Sequence, residues 1–189
     1  SWRWAFRPTW RQLLPALPER VLVRNVLGGL APDTDTPMPD EMRRKVRGIW
    51  QTIQATVPGT AFNFDFWTRC TPCRSTYPAC RAVIAAERRG PEFEEAMILG
   101  IQEAYYLRAM NPSDASVLMS LAAKIGIDRT QFAEELNSPN TRDELAAQIE
   151  FARRIGAHSF PSLVARRAGR FQLLPFHYTD PGLLLAQLV

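Results

Sequence analysis

Residues 159–174, SFPSLVARRAGRFQLL, mark the point where the hydrophobic period of the chain changes. Upstream, apolar residues recur at helical spacing. Within the stretch they alternate on either side of Ala168-Gly169, the pattern of two strands joined by a tight turn. Strands are expected over 162–165 and 170–174. After them Asp180-Pro181 opens a short helix, GLLLAQL, with Pro181 suited to the first helical position.

Working back from the hairpin, five helices are expected over 77–89, 92–109, 113–125, 128–136 and 141–155, punctuated by Gly90, Asn111-Pro112, Gly126 and Gly156, with Ser113 as the third helix's cap. Phe62, Phe64 and Phe66 alternate with Asn63 and Asp65 as in a short strand. Residues 39–56 read as a helix, with Met42, Val46, Ile49 and Ile53 at helical spacing and Asp40 and Glu41 in the first turn. The proline-rich run 31–39 is a loop. Residues 20–26 (RVLVRNV) alternate and are rich in β-branched side chains, as in a strand, and 8–17 reads as a short helix.

The 189 residues, 46% of them hydrophobic and 22% charged, suffice for one large domain or one domain carrying an insertion. No stretch is apolar enough for a membrane span, and no repeat period is visible. Three cysteines do not make a disulfide scaffold. The net charge of +4 is carried almost wholly by arginine, since Lys45 and Lys124 are the only lysines. The arginines are scattered in short steps, and no basic cluster interleaved with aromatics stands out, so neither nucleic acid nor membrane is an expected partner. No basic segment followed by an apolar one resembles a signal peptide, which points to the cytoplasm.

Four segments resemble the DsbA family of thioredoxin-fold disulfide oxidoreductases, in particular its subgroup without signal peptides. Ser1-Trp2-Arg3-Trp4-Ala5-Phe6 looks like the tail of that subgroup's Cys-Ser-Trp-Cys-Trp-x-Phe segment. Val26-Leu27-Gly28-Gly29-Leu30 looks like its second strand and turn. Asn63-Phe64-Asp65-Phe66-Trp67 with Ser75-Thr76-Tyr77-Pro78-Ala79-Cys80-Arg81-Ala82 looks like the start of its inserted domain. Ser159-Phe160-Pro161-Ser162-Leu163 looks like its cis-proline loop. The resemblance implies an α/β, thioredoxin-like fold with an inserted all-helical domain. It places residues 1–36 and 156–189 in the thioredoxin-like domain and 37–155 in the insertion, with the family's first strand not among these residues.

In this register Arg3 stands at the family's second motif cysteine, and the first would fall before Ser1. Disulfide exchange needs a thiolate and a resolving thiol, and arginine supplies neither; beside a cysteine it would favour the thiolate. The expected site is therefore a degenerate or truncated Cys-x-x-Cys. The family loop implies that Phe160 and Pro161 pair with an extended substrate strand, with His158 facing the site and Trp2 and Trp4 lining a groove.

Cys70-Thr71-Pro72-Cys73 is a second, local candidate, resembling the Trp-Cys-Gly-Pro-Cys step that opens a helix in thioredoxins. It reads as structural thiols, as a redox pair or as half a zinc site; no second ligand pair exists, and no metal is expected. Cys80 reads as a small buried residue, and His177 as a surface residue.

Three functions compete: a DsbA-like oxidoreductase acting on thiol-containing proteins or peptides, a glutathione-dependent isomerase or transferase of the kappa-class type, and a non-catalytic peptide-binding module. No resident cofactor is expected, glutathione being the one candidate. Under the second reading Ser1 would activate the glutathione thiol, with Arg3 or His158 supplying positive charge. Both a monomer and a homodimer are compatible with the sequence.

Overall fold

The computed structural model describes residues 1–188. The elements run α1 (Trp2–Leu13), a 3-10 turn (Leu14–Ala16), α2 (Asp40–Thr56), α3 (Phe66–Arg69), α4 (Tyr77–Glu87), α5 (Pro91–Tyr106), α6 (Ala115–Lys124), α7 (Arg129–Leu136), α8 (Pro139–Arg154), β1 (Leu163–Arg167), β2 (Arg170–Leu174) and α9 (Gly182–Leu188). Two compact units emerge. The first comprises Ser1–Gly28, Ile49–Thr60 and Ile149–Val189, the second Gly29–Gly48 and Ala61–Gln148. These bounds differ from the expected 1–36, 37–155 and 156–189. The reason is that α2 and α8 are each continuous helices whose residues are shared between the units.

In the first unit, α1 begins at Trp2 rather than near residue 8. Pro8 inside it gives up one backbone hydrogen bond, a cost of about 3 kcal/mol. The offset comes from the aromatic stripe Trp2, Phe6 and Trp10. Phe6 is buried, with its ring 4.6 Å from that of Phe176 and 6.0 Å, edge-on, from that of Tyr178. Thr9 Oγ1 donates to the Tyr178 carbonyl, tying the same helix face to the C-terminal segment. Leu13, Leu174 and Leu184 form the centre of this core, with Trp10, Leu163, Ala165, Phe176 and Leu188 packed around them.

The hairpin is antiparallel and pairs Leu163 with Leu174 through Arg167 with Arg170. Its two-residue turn, Ala168 and Gly169, has positive φ at both positions (45° and 77°), the geometry that follows the right-handed twist of the flanking strands.

Residues 20–26 are not a strand. No described residue pairs with them, and the one backbone bond there is Val21 N–H to the Pro18 carbonyl at 2.8 Å. Leu22 is 94% exposed. Alternation fits a pleated surface, but a strand also requires a neighbour to complete the ladder.

The second unit is helical. Every residue from Arg81 to Ala86 on α4 is buried, so this helix is enclosed on all sides, and α5, α6 and α7 pack against it. Ile84, Met97, Leu118, Phe132 and Leu145 fill the interior. The buried Arg81 guanidinium donates to both carboxylate oxygens of Asp33, at 2.7 and 3.0 Å, the bidentate pairing that lets a buried cation persist.

Phe62 and Phe64 are likewise not a strand. Asn63 Oδ1 accepts from the Asp65 N–H at 3.0 Å and its carbonyl from the Phe66 N–H at 3.3 Å, so turn chemistry at Asn63 overrides the alternation and opens α3. Helix α6 starts after Asp114 instead of Ser113, whose hydroxyl donates to the Ser75 carbonyl.

Asp128 caps α7, its Oδ1 accepting from the N–H groups of Thr130 and Gln131 at 2.9 Å each. Replacing Asp128 by Ala is expected to lower stability by about 1 kcal/mol. Asn should retain most of it. Urea unfolding of the two variants checks both statements.

Candidate functional site

The proline loop is set by a packing constraint. A Cβ on Gly28 would lie 1.8 Å from Cε1 and Cζ of the Phe160 ring, so the ring occupies the space a side chain at 28 would need. The peptide between Phe160 and Pro161 is cis. Ser162 Oγ donates to the Ser159 carbonyl and closes the turn around it. Among the described residues, neither the N–H nor the C=O of Phe160 makes a hydrogen bond. Backbone groups left unpaired on a half-buried loop are available to an extended ligand chain. His158 is exposed two residues before Phe160.

At the other predicted part of the site, Ser1 stands at the N-cap of α1, but its hydroxyl does not cap the helix. Ser1 Oγ instead accepts the indole N–H of the fully buried Trp50 at 2.9 Å. Trp2 packs on Tyr178 with ring centroids 5.0 Å apart, and burial pushes the Tyr178 phenol above its ordinary pKa. Arg3 and Trp4 lie half-buried in the first turn of α1. His177 is exposed, its Nδ1 accepting from the Thr179 N–H at 3.3 Å.

Cys70 and Cys73 belong to the second unit. Neither opens a helix: Cys70 follows the last residue of α3, and α4 begins at Tyr77. Cys70 is extended (φ −114°, ψ 149°), Cys73 pairs in an isolated antiparallel bridge with Pro37, and the Pro72 carbonyl accepts from the Met38 N–H at 2.8 Å. All three cysteines are free. The Cys70 thiol donates to the Ala109 carbonyl at 3.2 Å, and burial and the nearby Asp114 carboxylate push its pKa up, against a smaller opposing effect of Arg69.

The structure thus joins Trp2 to Tyr178 and Phe160 to Gly28 within the first unit, while Cys70 and Cys73 belong to the second. Gly28, Trp50 and Tyr178 were not singled out by sequence reasoning as site residues. Gly28 shows in the sequence only as half of a Gly-Gly turn, and its partner lies 132 positions away. The Trp50 and Tyr178 contacts are also non-local and leave no short-range pattern.

Two outcomes follow. Gly28→Ala is expected to displace the Phe160 ring and lower stability by about 1–3 kcal/mol. The double variant Gly28→Ala/Phe160→Ala should show strong non-additivity in a denaturation cycle. For Cys70, a raised pKa means a smaller thiolate fraction near neutrality, so iodoacetamide should label it more slowly than a free thiol. Asp114→Asn should accelerate that labelling, as followed by peptide mass spectrometry across pH.

Comparison with known proteins agrees with this architecture. A family model described as Thioredoxin matches residues 4–169. The chain is similar over 100% of its length to the crystal structure of a candidate protein disulfide isomerase from Nitrosomonas europaea, with 26% identity, 89% of that chain covered and a TM-score of 0.79. It is also similar to the cytosolic disulfide reductase DsbM from Pseudomonas aeruginosa, with 28% identity over 98% of this chain and 88% of that one and a TM-score of 0.71. DsbM with GSH gives a TM-score of 0.68. Among curated proteins, the ClpXP adapter protein SpxH of Halalkalibacterium halodurans is 22% identical over 165 residues, covering 85% of this chain and 53% of SpxH. The SpxH of Shouchella clausii is 26% identical over 88 residues, 47% of this chain and 29% of that protein. The chain spans about half the length of the first of these curated relatives, and less of the second. With the family model spanning most of the sequence and disulfide isomerase- and reductase-type structures matching nearly all of it, the chain belongs to the thioredoxin family, in its DsbA-like branch.

Proposed function

We propose that this chain is a cytoplasmic DsbA-like thiol–disulfide oxidoreductase with a degenerate site, in which the Phe160–Pro161 edge holds a cysteine-containing peptide. The observation that carries the reading is the unpaired backbone of Phe160, fixed by its ring against Gly28. A backbone donor and acceptor held on a rigid loop can pair with any extended peptide whatever its side chains, which suits an enzyme with many protein substrates. Arg3 stands where the family has its second cysteine. Its guanidinium can neither attack nor resolve a disulfide, but it favours the thiolate form of a sulfur brought beside it. Glutathione is the small thiol the reading favours as co-substrate, supported by the structure of DsbM with GSH.

A second reading, a non-catalytic peptide-binding protein using the same loop, is favoured by the adapter name of the SpxH relatives. Titration of the isotope-labelled protein with glutathione, and separately with a cysteine-containing peptide, tests both. Under the first reading both ligands shift the Phe160 amide resonance, and Arg3→Ala raises the pKa of the bound thiol. Binding of the peptide alone, with no effect of Arg3→Ala, supports the adapter-like reading. Absence of any shift at Phe160 overturns both.

A further inference from the structure

Among the described residues, the arginines of the C-terminal hairpin have no carboxylate partner. In the helical unit Arg43, Arg69, Arg81, Arg88, Arg89 and Arg108 each pair with an acid. Residues 150–174 hold Arg153, Arg154, Arg166, Arg167 and Arg170 against a single acid, Glu150. All five are exposed, and among the described residues none makes an ion pair.

Two of the five are built into a stack. The Arg154 guanidinium lies over the Phe151 ring at 5.4 Å, Phe151 meets Phe171 edge-to-face at 5.7 Å and 82°, and the Arg166 guanidinium lies over Phe171 at 5.9 Å. The order is Arg-Phe-Phe-Arg, running from the end of α8 across both strands of the hairpin. Arg166 and Phe171 are cross-strand partners, so register places them side by side. Phe171 is 44% exposed, and Leu173, on the same face of β2, is 50% exposed. Arg167 and Arg170 pair across the next rung and surround the turn with charge. The outer edge of β2 has no strand partner among the described residues.

Stacking on a ring fixes a guanidinium plane and leaves its N–H edge outward, so less side-chain entropy remains to be lost when a carboxylate arrives. The β2 edge beside the stack, with no strand partner among the described residues, suits an extended polypeptide whose backbone can pair along it rather than a nucleic-acid strand. We propose that this Arg–Phe stack and the adjoining β2 edge form a docking surface for an extended acidic segment of a partner protein. Carboxylates of the segment pair with Arg154 and Arg166, its apolar side chains cover Phe171 and Leu173, and its backbone lies along β2. The surface uses none of the residues assigned to the thiol site.

The test is fluorescence anisotropy of a labelled peptide of repeating Glu-Asp-Phe at low ionic strength. A poly(dT) oligonucleotide of matched charge serves as the competing probe. The double variant Arg154→Ala/Arg166→Ala should weaken peptide binding by about tenfold or more, whereas Arg129→Ala/Arg142→Ala, with the same net charge, should change it by less than about twofold. Phe171→Ala, which alters no charge, should weaken it by about threefold through loss of the stacked geometry. Circular dichroism of each variant confirms that it is folded. Equal losses in the two double variants, or tighter and stack-dependent binding of the oligonucleotide, overturn the proposal. So does an absence of peptide binding, which would leave the arginines as a charge guard on a sheet edge.

Discussion

A side chain at residue 28 and the ring of Phe160 cannot occupy the same space. This exclusion sets the proline loop. Gly28 ends an irregular segment, and Phe160 begins the approach to β1, so one close contact fixes two stretches far apart in sequence. With its ring committed to Gly28, Phe160 leaves its backbone polar groups to the outside. The hairpin that follows packs its inner face on Leu13 and Leu184 through Leu163 and Leu174. In this way a missing side chain at one position makes room for the ring that begins the proline loop.

The helical unit rests on a different principle. Helix α4 is buried all round, which suits small and branched residues but not an arginine. Arg81 is accommodated because Asp33, on a loop, gives both its carboxylate oxygens to the guanidinium. The thiols of this unit are equally subordinate to structure. The backbone of Cys73 pairs in a β-bridge with Pro37, and the Cys70 thiol donates to the Ala109 carbonyl, with burial raising its pKa.

Much of the architecture was legible because it is local. Helix stops at Gly90, Gly126 and Gly156, the cap at Asp128 and the turn at Ala168-Gly169 are each decided by a few neighbouring residues. The differences have separate causes. Alternation in 20–26 and in 62–66 reported a preference for extended backbone, but in the first case no partner exists among the described residues and in the second Asn63 offered a stronger local bond. The local pattern begins α1 only at residue 8, because the burial of Phe6 against Phe176 that carries the helix back to Trp2 is a distant event. The site divides in the same way. Arg3, Phe160 and Pro161 could be found through motif resemblance, while Gly28 and Trp50 act through contacts that no window of sequence contains. The basic and aromatic residues of the hairpin looked scattered for the same reason: Phe151, Arg154, Arg166 and Phe171 become neighbours only when β1 and β2 pair beside the end of α8.

The loop between Gly29 and Pro39 is fastened at three places. The Ala31 backbone bonds with Thr76, Asp33 is held by Arg81, and Pro37 and Met38 bond to Cys73 and Pro72. Among the described residues, 34–36 make no hydrogen bond to the rest of the helical unit, and the Thr36 N–H donates to the Thr34 hydroxyl. In evolutionary terms this makes the loop a clasp with one slack link. Insertions and deletions in related chains should concentrate at those three positions, where length can change without freeing Arg81 from its carboxylate.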